Sequence, residues 1–159
     1  MPVRTRVGHS FIKARMAETN AVFGGEHSGH FYFRDFWFAN SGMLAALHVL
    51  AALGHDDRPL SALLSEFSRY TASGEINSEV RDQAAVTAKV RDVYSERPGV
   101  TLGELDGLTV AADDWWFNLR PSNTEPLLRL NVEAGSEAEM AALRDEVLGL
   151  ITGAADRSE

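Results

Sequence analysis

Leu128, Leu130 and Val132 alternate strictly with Arg129, Asn131 and Glu133, the period-two pattern of a strand with one buried and one wet face. No other stretch narrows the folding options as sharply, because such a strand needs a partner in register and apolar side chains beneath it. The partner is nearby. Trp115-Trp116-Phe117-Asn118-Leu119 is aromatic and apolar, so the polar stretch Arg120-Pro121-Ser122-Asn123-Thr124-Glu125-Pro126 between the two reads as a hairpin connection held by rigid elements.

The same connection carries what is needed to grip an anion. Arg120 offers a planar fork of donors that matches phosphate oxygens two at a time, and Ser122, Asn123 and Thr124 can each add a short-range hydrogen bond. The other reading of these residues is a surface turn whose polar side chains only satisfy local backbone.

Helices for this sheet are legible on both sides of the hairpin. Ser136 and Glu139 form a capping box ahead of Met140, Leu143, Val147, Leu150 and Ile151 on one helical face. Val86, Val90 and Val93 mark another helix that ends before Pro98-Gly99, a strand is expected over residues 75–81, and Leu60, Leu63, Leu64, Phe67 and Tyr70 make a helical stripe. Residues 58–159 therefore read as a small α+β domain with helices packed on a mainly antiparallel sheet.

Residues 1–57 follow a different rhythm, that of an α/β domain. A helix over 11–18 opens near His9-Ser10, strands follow at 21–25 and 31–33, and Ser41 caps a helix with Met43, Leu44, Leu47, Leu50 and Leu53 on one face, closed by Gly54. Gly54-His55-Asp56-Asp57-Arg58-Pro59 is short, polar and proline-ended, which places the domain boundary there. Two strands in so short a stretch would leave sheet edges and helix faces uncovered, so these residues are expected to be the C-terminal part of a larger α/β domain.

Composition excludes several function classes. A net charge of −8 argues against a broad nucleic-acid surface, so an anion site must be a local basic pocket. There is no cysteine, hence no disulfide, thiolate metal site or cysteine nucleophile, which fits a reducing cytoplasm. The longest apolar run, residues 43–53, is interrupted by His48 and too short to span a bilayer, and the first residues are unlike a signal peptide. A cytoplasmic protein with neither membrane nor nucleic-acid partners is expected.

A second polar cluster, Gly24-Gly25-Glu26-His27-Ser28-Gly29-His30, lies between the two early strands. A carboxylate and a hydroxyl two residues apart on a glycine-permitted turn can accept from and donate to neighbouring sugar hydroxyls, and each histidine can act as donor, base or ligand. The bland reading is a polar hairpin turn with incidental histidines. Glu26, His27 and His30 could in principle supply metal ligands, but without a helix to align them the spacing is weak, and no metal site is assigned. His48, on a helix among leucines, reads as a buried core residue. His9 and Ser10 stand at a helix start, a fair place for an acid or base near an anion, with a plain cap by Ser10 as the alternative. Ser10 and Lys13 match the Ser-x-x-Lys pattern of penicillin-binding enzymes, but the other motifs of that class are absent.

Taken in order, Gly8-His9-Ser10, Gly25-Glu26-His27-Ser28-Gly29-His30 and Arg120-Pro121-Ser122-Asn123-Thr124-Glu125-Pro126 resemble the phosphomannomutase/phosphoglucomutase branch of the α-D-phosphohexomutases. The resemblance covers essentially the whole chain and corresponds to the end of that family's third domain and all of its fourth. It implies a partial α/β mixed-sheet domain over 1–57 and a TBP-like α+β domain over 58–159. It also implies that Glu26 and Ser28, with His30 close by, read sugar hydroxyls, and that Arg120, Ser122, Asn123 and Thr124 bind the phosphate that is not reacting. His9 becomes a candidate acid/base, and Arg129 a helper by position.

The implied parent reaction interconverts hexose 6-phosphate and hexose 1-phosphate through a phosphoserine, with a hexose 1,6-bisphosphate intermediate and magnesium as cofactor. The serine loop and the aspartate loop that would hold magnesium are not in this sequence. The chain is thus expected to bind hexose phosphates without catalysing their interconversion alone, to be a truncation of a parent with further N-terminal domains, and to dimerise through the aromatic run Phe31-Tyr32-Phe33-Arg34-Asp35-Phe36-Trp37-Phe38 where that parent would cover it. A stand-alone, non-catalytic phosphate- or sugar-binding module is the alternative, and a plain interaction domain a third. At Asn40 relatives often carry an acidic residue, a departure to which the sequence attaches no function.

Overall fold

The computed structural model describes residues 1–122 and 125–155, which fall into two compact units, Met1–Phe67 and Ser68–Glu159. The first unit runs α1 (His9–Thr19), β1 (Phe23–Gly25), β2 (Phe31–Phe33), β3 (Ala39–Asn40), α2 (Gly42–Gly54) and α3 (Leu60–Ser65). Its strands form an antiparallel three-stranded sheet in the order β1-β2-β3. Ile12 and Met16, one turn apart on α1, bury themselves against Tyr32 of β2. Gly24 lets the helix lie this close, since a Cβ there would stand 2.8 Å from Met16 Sδ and 3.1 Å from Ile12 Cγ2. Asn20 ends α1 in the left-handed conformation, its amide bonded to the Met16 carbonyl.

Ser41 caps α2 as its sequence demands, its Oγ accepting from the Leu44 amide at 3.2 Å. The apolar face of α2 is another matter. No residue of this helix is buried, and Met43, Leu47 and Leu50 are exposed. His48 departs from its expected place in a core: it is exposed and stacks on Phe33 with ring centroids 5.4 Å apart. The small sheet has too little apolar surface to cover both. The stripe through Phe67 and Tyr70 is also cut short, because α3 stops at Ser65. The sequence put the boundary between residues 57 and 58, whereas the compact units divide after Phe67. The ion pairs of Arg58 with Asp56 at 2.7 Å and Glu66 at 2.5 Å tie the two ends of α3 to the intended linker.

The second unit runs β4 (Thr71–Ala72), β5 (Ile76–Glu79), α4 (Gln83–Ser95), β6 (Thr101–Gly103), β7 (Leu108–Ala111), β8 (Trp115–Pro121), β9 (Leu127–Ala134) and α5 (Glu137–Ala155). Its antiparallel sheet has the order β4-β9-β8-β7-β6, with β5 also paired to β9. The hairpin β6–β7, which the sequence reading did not specify, extends the sheet beyond β8.

Leu128, Leu130, Val132 and Ala134 of β9 and Phe117 and Leu119 of β8 are buried against Val86, Val90 and Tyr94 of α4 and Met140, Leu143, Val147 and Ile151 of α5. Ser136 caps α5 as read, the Glu139 amide donating to Ser136 Oγ, while the Glu139 carboxylate accepts from that hydroxyl at 2.7 Å. No helix among the described residues is long and apolar enough to cross a membrane.

Candidate functional site

In the first unit, the turn after β1 is closed by hydrogen bonds from the Glu26 amide to the His30 carbonyl and from the Gly29 amide to the Glu26 carbonyl. It brings Glu26, Ser28 and His30 to the rim of a pocket of about 440 Å³. His9 joins them from the first turn of α1, which opens at Gly8 without a side-chain cap, so Ser10 does not play that part. All four residues that the sequence singled out here line the same pocket.

Three further polar residues line it that sequence reasoning left without a role: Lys13, Tyr32 and Asn40. Lys13 lies one turn beyond His9 on α1, a spacing that could have flagged it once the helix was assigned. Tyr32 sits on the buried face of β2 and donates a short hydrogen bond to Glu26 Oε1. Burial, and after it the Glu26 carboxylate, pushes the Tyr32 hydroxyl up to about 12. Tyr32 therefore stays a donor, and Glu26 Oε2, with no hydrogen-bond partner among the described residues, can accept from a ligand. Asn40 bridges the loop and the sheet, accepting from the Phe31 amide at 3.0 Å and approaching His30 Nδ1 to 2.9 Å.

The unit has a larger hollow of about 970 Å³ lined by Phe23, Phe31, Phe33, Phe36, Leu44 and Val49. Asp35 and His48 also line it, but the lining is mainly apolar and includes no lysine or arginine to hold an anion. Among the described residues, no group of three or more His, Cys, Asp or Glu side chains gathers where a metal could be held.

The second unit builds a site of opposite character. Arg120 and Arg129 are direct partners in the β8–β9 register. Like charges opposite one another across an antiparallel pair destabilise it unless an anion intervenes. Glu75 supplies one, at 3.3 Å from Arg120 and 3.5 Å from Arg129. Arg129 also lies 3.7 Å from the Glu125 carboxylate and donates to Ser122 Oγ at 3.4 Å. Its Nε is buried with no hydrogen-bond partner among the described residues.

The turn after β8 is pinned by the Ser122 amide on the Leu127 carbonyl at 2.8 Å and by Gln83 of α4 on the Leu127 and Glu125 carbonyls. Behind Arg120 lies Gly107, whose φ of +70° and close packing exclude a side chain, since a Cβ would stand 2.5 Å from Arg120 Cβ and 2.6 Å from the Leu119 carbonyl oxygen. Arg120 and Ser122 are thus where the sequence put them, except that Arg120 belongs to the strand. Asn123 and Thr124 lie outside the described residues. Arg129, a helper by position in the sequence reading, is half of the charged pair.

Matches to known proteins cover nearly all of the chain. Residues 1–70 match the family model described as phosphoglucomutase/phosphomannomutase, alpha/beta/alpha domain III, and residues 75–150 match the C-terminal domain of the same family. The chain is 45% identical over 149 residues to a phosphomannomutase of Methanocaldococcus jannaschii, covering 94% of this chain and 32% of that protein. It is 41% identical over 152 residues to a phosphomannomutase of Escherichia coli, covering 94% and 33%. The chain thus spans about a third of the length of the curated relatives it matches. A crystal structure of a phosphoglucomutase/phosphomannomutase family protein from Burkholderia thailandensis superposes with a TM-score of 0.79 at 30% identity, over 99% of this chain and 33% of that one.

Proposed function

The chain belongs to the phosphoglucomutase/phosphomannomutase family, and on that footing we propose that it is the hexose-phosphate-binding portion of an enzyme that interconverts hexose 6-phosphate and hexose 1-phosphate. In this reading the pocket of His9, Glu26, Ser28 and His30 takes the sugar hydroxyls, and Arg120 and Ser122, with Asn123 and Thr124, take the phosphate that does not react. Arg129 joins the phosphate grip from the opposite strand. His9 serves as the acid/base candidate beside the reacting hydroxyl.

The observation that carries the proposal is the opposed Arg120–Arg129 pair, bridged by the Glu75 carboxylate, with Glu125 beside Arg129 alone and with Arg129 Nε buried and unpartnered among the described residues. Such an arrangement suits a dianion with several acceptor oxygens. An enzyme that turns a bisphosphate end for end needs an anion grip and hydroxyl readers indifferent to which end is reacting, and the two sites divide those tasks.

The phosphoserine and the magnesium that the resemblance implies are assigned to residues outside this sequence. Among the described residues, no group of three or more His, Cys, Asp or Glu side chains forms a cradle for the metal. Acting alone, this chain binds and does not turn over. A cytoplasmic location belongs to the same proposal, supported by the absence of cysteine.

Titration of the ¹⁵N-labelled chain with mannose 1-phosphate or glucose 6-phosphate at millimolar concentration tests the reading. Shifts of the Ser122 and Leu127 amides, together with those of Glu26 to His30, are expected. An intact spectrum in which those amides stay still would refute it.

A further inference from the structure

Lys13 is one of only two lysines in the chain, and the other, Lys89, reaches the Leu150 carbonyl at 3.5 Å. Lys13 instead lines the first unit's pocket together with His9, Glu26, Ser28 and Tyr32. It has neither an ion pair nor a hydrogen bond among the described residues, although the chain carries a net charge of −8. An ammonium has three donors, no acceptor and a full charge, so a lysine left without a protein partner on a pocket wall can donate to whatever enters.

Helix α1 fixes where it stands. Ile12 and Met16 bury one side of this helix against Tyr32, and His9 and Lys13, four residues apart, lie on a neighbouring stripe that lines the pocket. They are one helical turn apart, about 5.4 Å along the axis, and so meet different positions of a bound sugar.

Glu26 decides what kind of group Lys13 receives. Its Oε1 accepts from Tyr32, while Oε2 has no hydrogen-bond partner among the described residues. Lys13 forms no ion pair with it, so pocket space separates the two charges. A carboxylate in the same pocket repels a phosphate dianion. It suits a neutral group that can donate to the carboxylate and accept from the ammonium at once. A hydroxyl does both, and two hydrogen bonds in a chain polarise and strengthen one another.

We propose that Lys13 is a further sugar-binding residue, its ammonium donating to the oxygen of a hexose hydroxyl while that hydroxyl donates to Glu26. The inference rests on the hexose-phosphate reading of this pocket.

The small number of lysines makes the test direct. Selective ¹³C labelling of lysine gives two ε-methylene signals, and Lys13→Met identifies the one that belongs to the pocket. Titration of the intact chain with mannose 1-phosphate should shift the Lys13 signal and leave that of Lys89 still. Lys13→Met, with its backbone amide spectrum retained, should bind the sugar phosphate about five- to tenfold more weakly. Inorganic phosphate should move neither lysine.

A Lys13 signal that stays still while the amides of Glu26 to His30 shift, or equal affinity in Lys13→Met, overturns the role of Lys13 and leaves the proposed function standing. A Lys13 signal that follows inorganic phosphate overturns the hydroxyl contact in favour of an anion contact. Amides of an intact chain that ignore mannose 1-phosphate altogether refute the proposed function, and the inference falls with it.

Discussion

Met1–Phe67 buries three large apolar side chains, Ile12, Met16 and Tyr32, while sixteen buried residues of the second unit close one continuous core between its sheet and α4 and α5. Both units use capped helices and antiparallel strands, so local structure does not separate them. What separates them is how much apolar surface each can hide within itself. The second unit lays both of its long helices on a six-stranded sheet. In the first, α2 buries nothing and Met43, Leu47 and Leu50 face outward.

The candidate sites differ in the same way: the first unit's pocket is a set of hydrogen-bonding groups on a thin scaffold, the second unit's is a pair of opposed charges on a rigid one. Burial supplies the rigidity, because side chains packed on all sides have no alternative arrangement.

The sharpest way to break this comparison is to truncate one buried residue of similar size in each unit. Leu130→Ala is expected to cost about 4 kcal/mol and Ile12→Ala about 2 kcal/mol, since a three-residue core can collapse around the gap. Urea unfolding followed residue by residue in NMR spectra reads both, and equal losses would erase the distinction.

Next in size is Gly107→Ala, which meets Arg120 and the Leu119 carbonyl within 2.6 Å and is expected to cost about 2 kcal/mol. It should also weaken inorganic phosphate binding by displacing Arg120, which calorimetry would show. Undiminished affinity would mean that the rigid backing of the second site is irrelevant to binding.

High pH probes the first unit. Tyr32 is raised from about 10 in the unfolded chain to about 12 in the folded one, so its contribution is complete below pH ~10 and is lost as pH climbs through ~12. Alkaline titration monitored at Ile12 and Met16 should show their loosening over that interval, and Tyr32→Phe should abolish the effect.

Smaller still, Glu75→Gln removes the resident carboxylate from between Arg120 and Arg129. Inorganic phosphate should then bind about three- to tenfold more tightly, the scale of one partly exposed ion pair. Weaker binding would instead make Glu75 a support for the arginines and not their stand-in anion. The least effect is expected from Leu50→Glu on the exposed face of α2, within about 0.5 kcal/mol. A larger loss in the thermal unfolding curve would show that this face is covered in solution, and size-exclusion chromatography would reveal whether a second copy covers it.

Much of the second unit was legible because its signals are short-range. The alternation from Leu128 to Val132, the Ser136–Glu139 box and the valines of α4 each declare an element within a few residues, and all three elements form. The same kind of signal placed Ser41 on α2. It failed for His48 and for the face of α2, because an apolar stripe states what a helix would bury and says nothing of whether a surface exists to receive it. It also missed the β6–β7 hairpin, where short strands of weak alternation are held by pairing with β8.

The sequence by itself determined the turns, caps and strand alternation, the two clusters around Glu26 and Arg120, and the family, because these reside in neighbouring residues. Only the tertiary structure decided which side chains meet: Arg129 against Arg120, Glu75 between them, Tyr32 on Glu26, and Asn40 on His30. Those contacts join residues that folding alone brings together. Strand register, set by the pattern of burial over the whole sheet, selects one cross-strand partner among several that the same local sequence would accept.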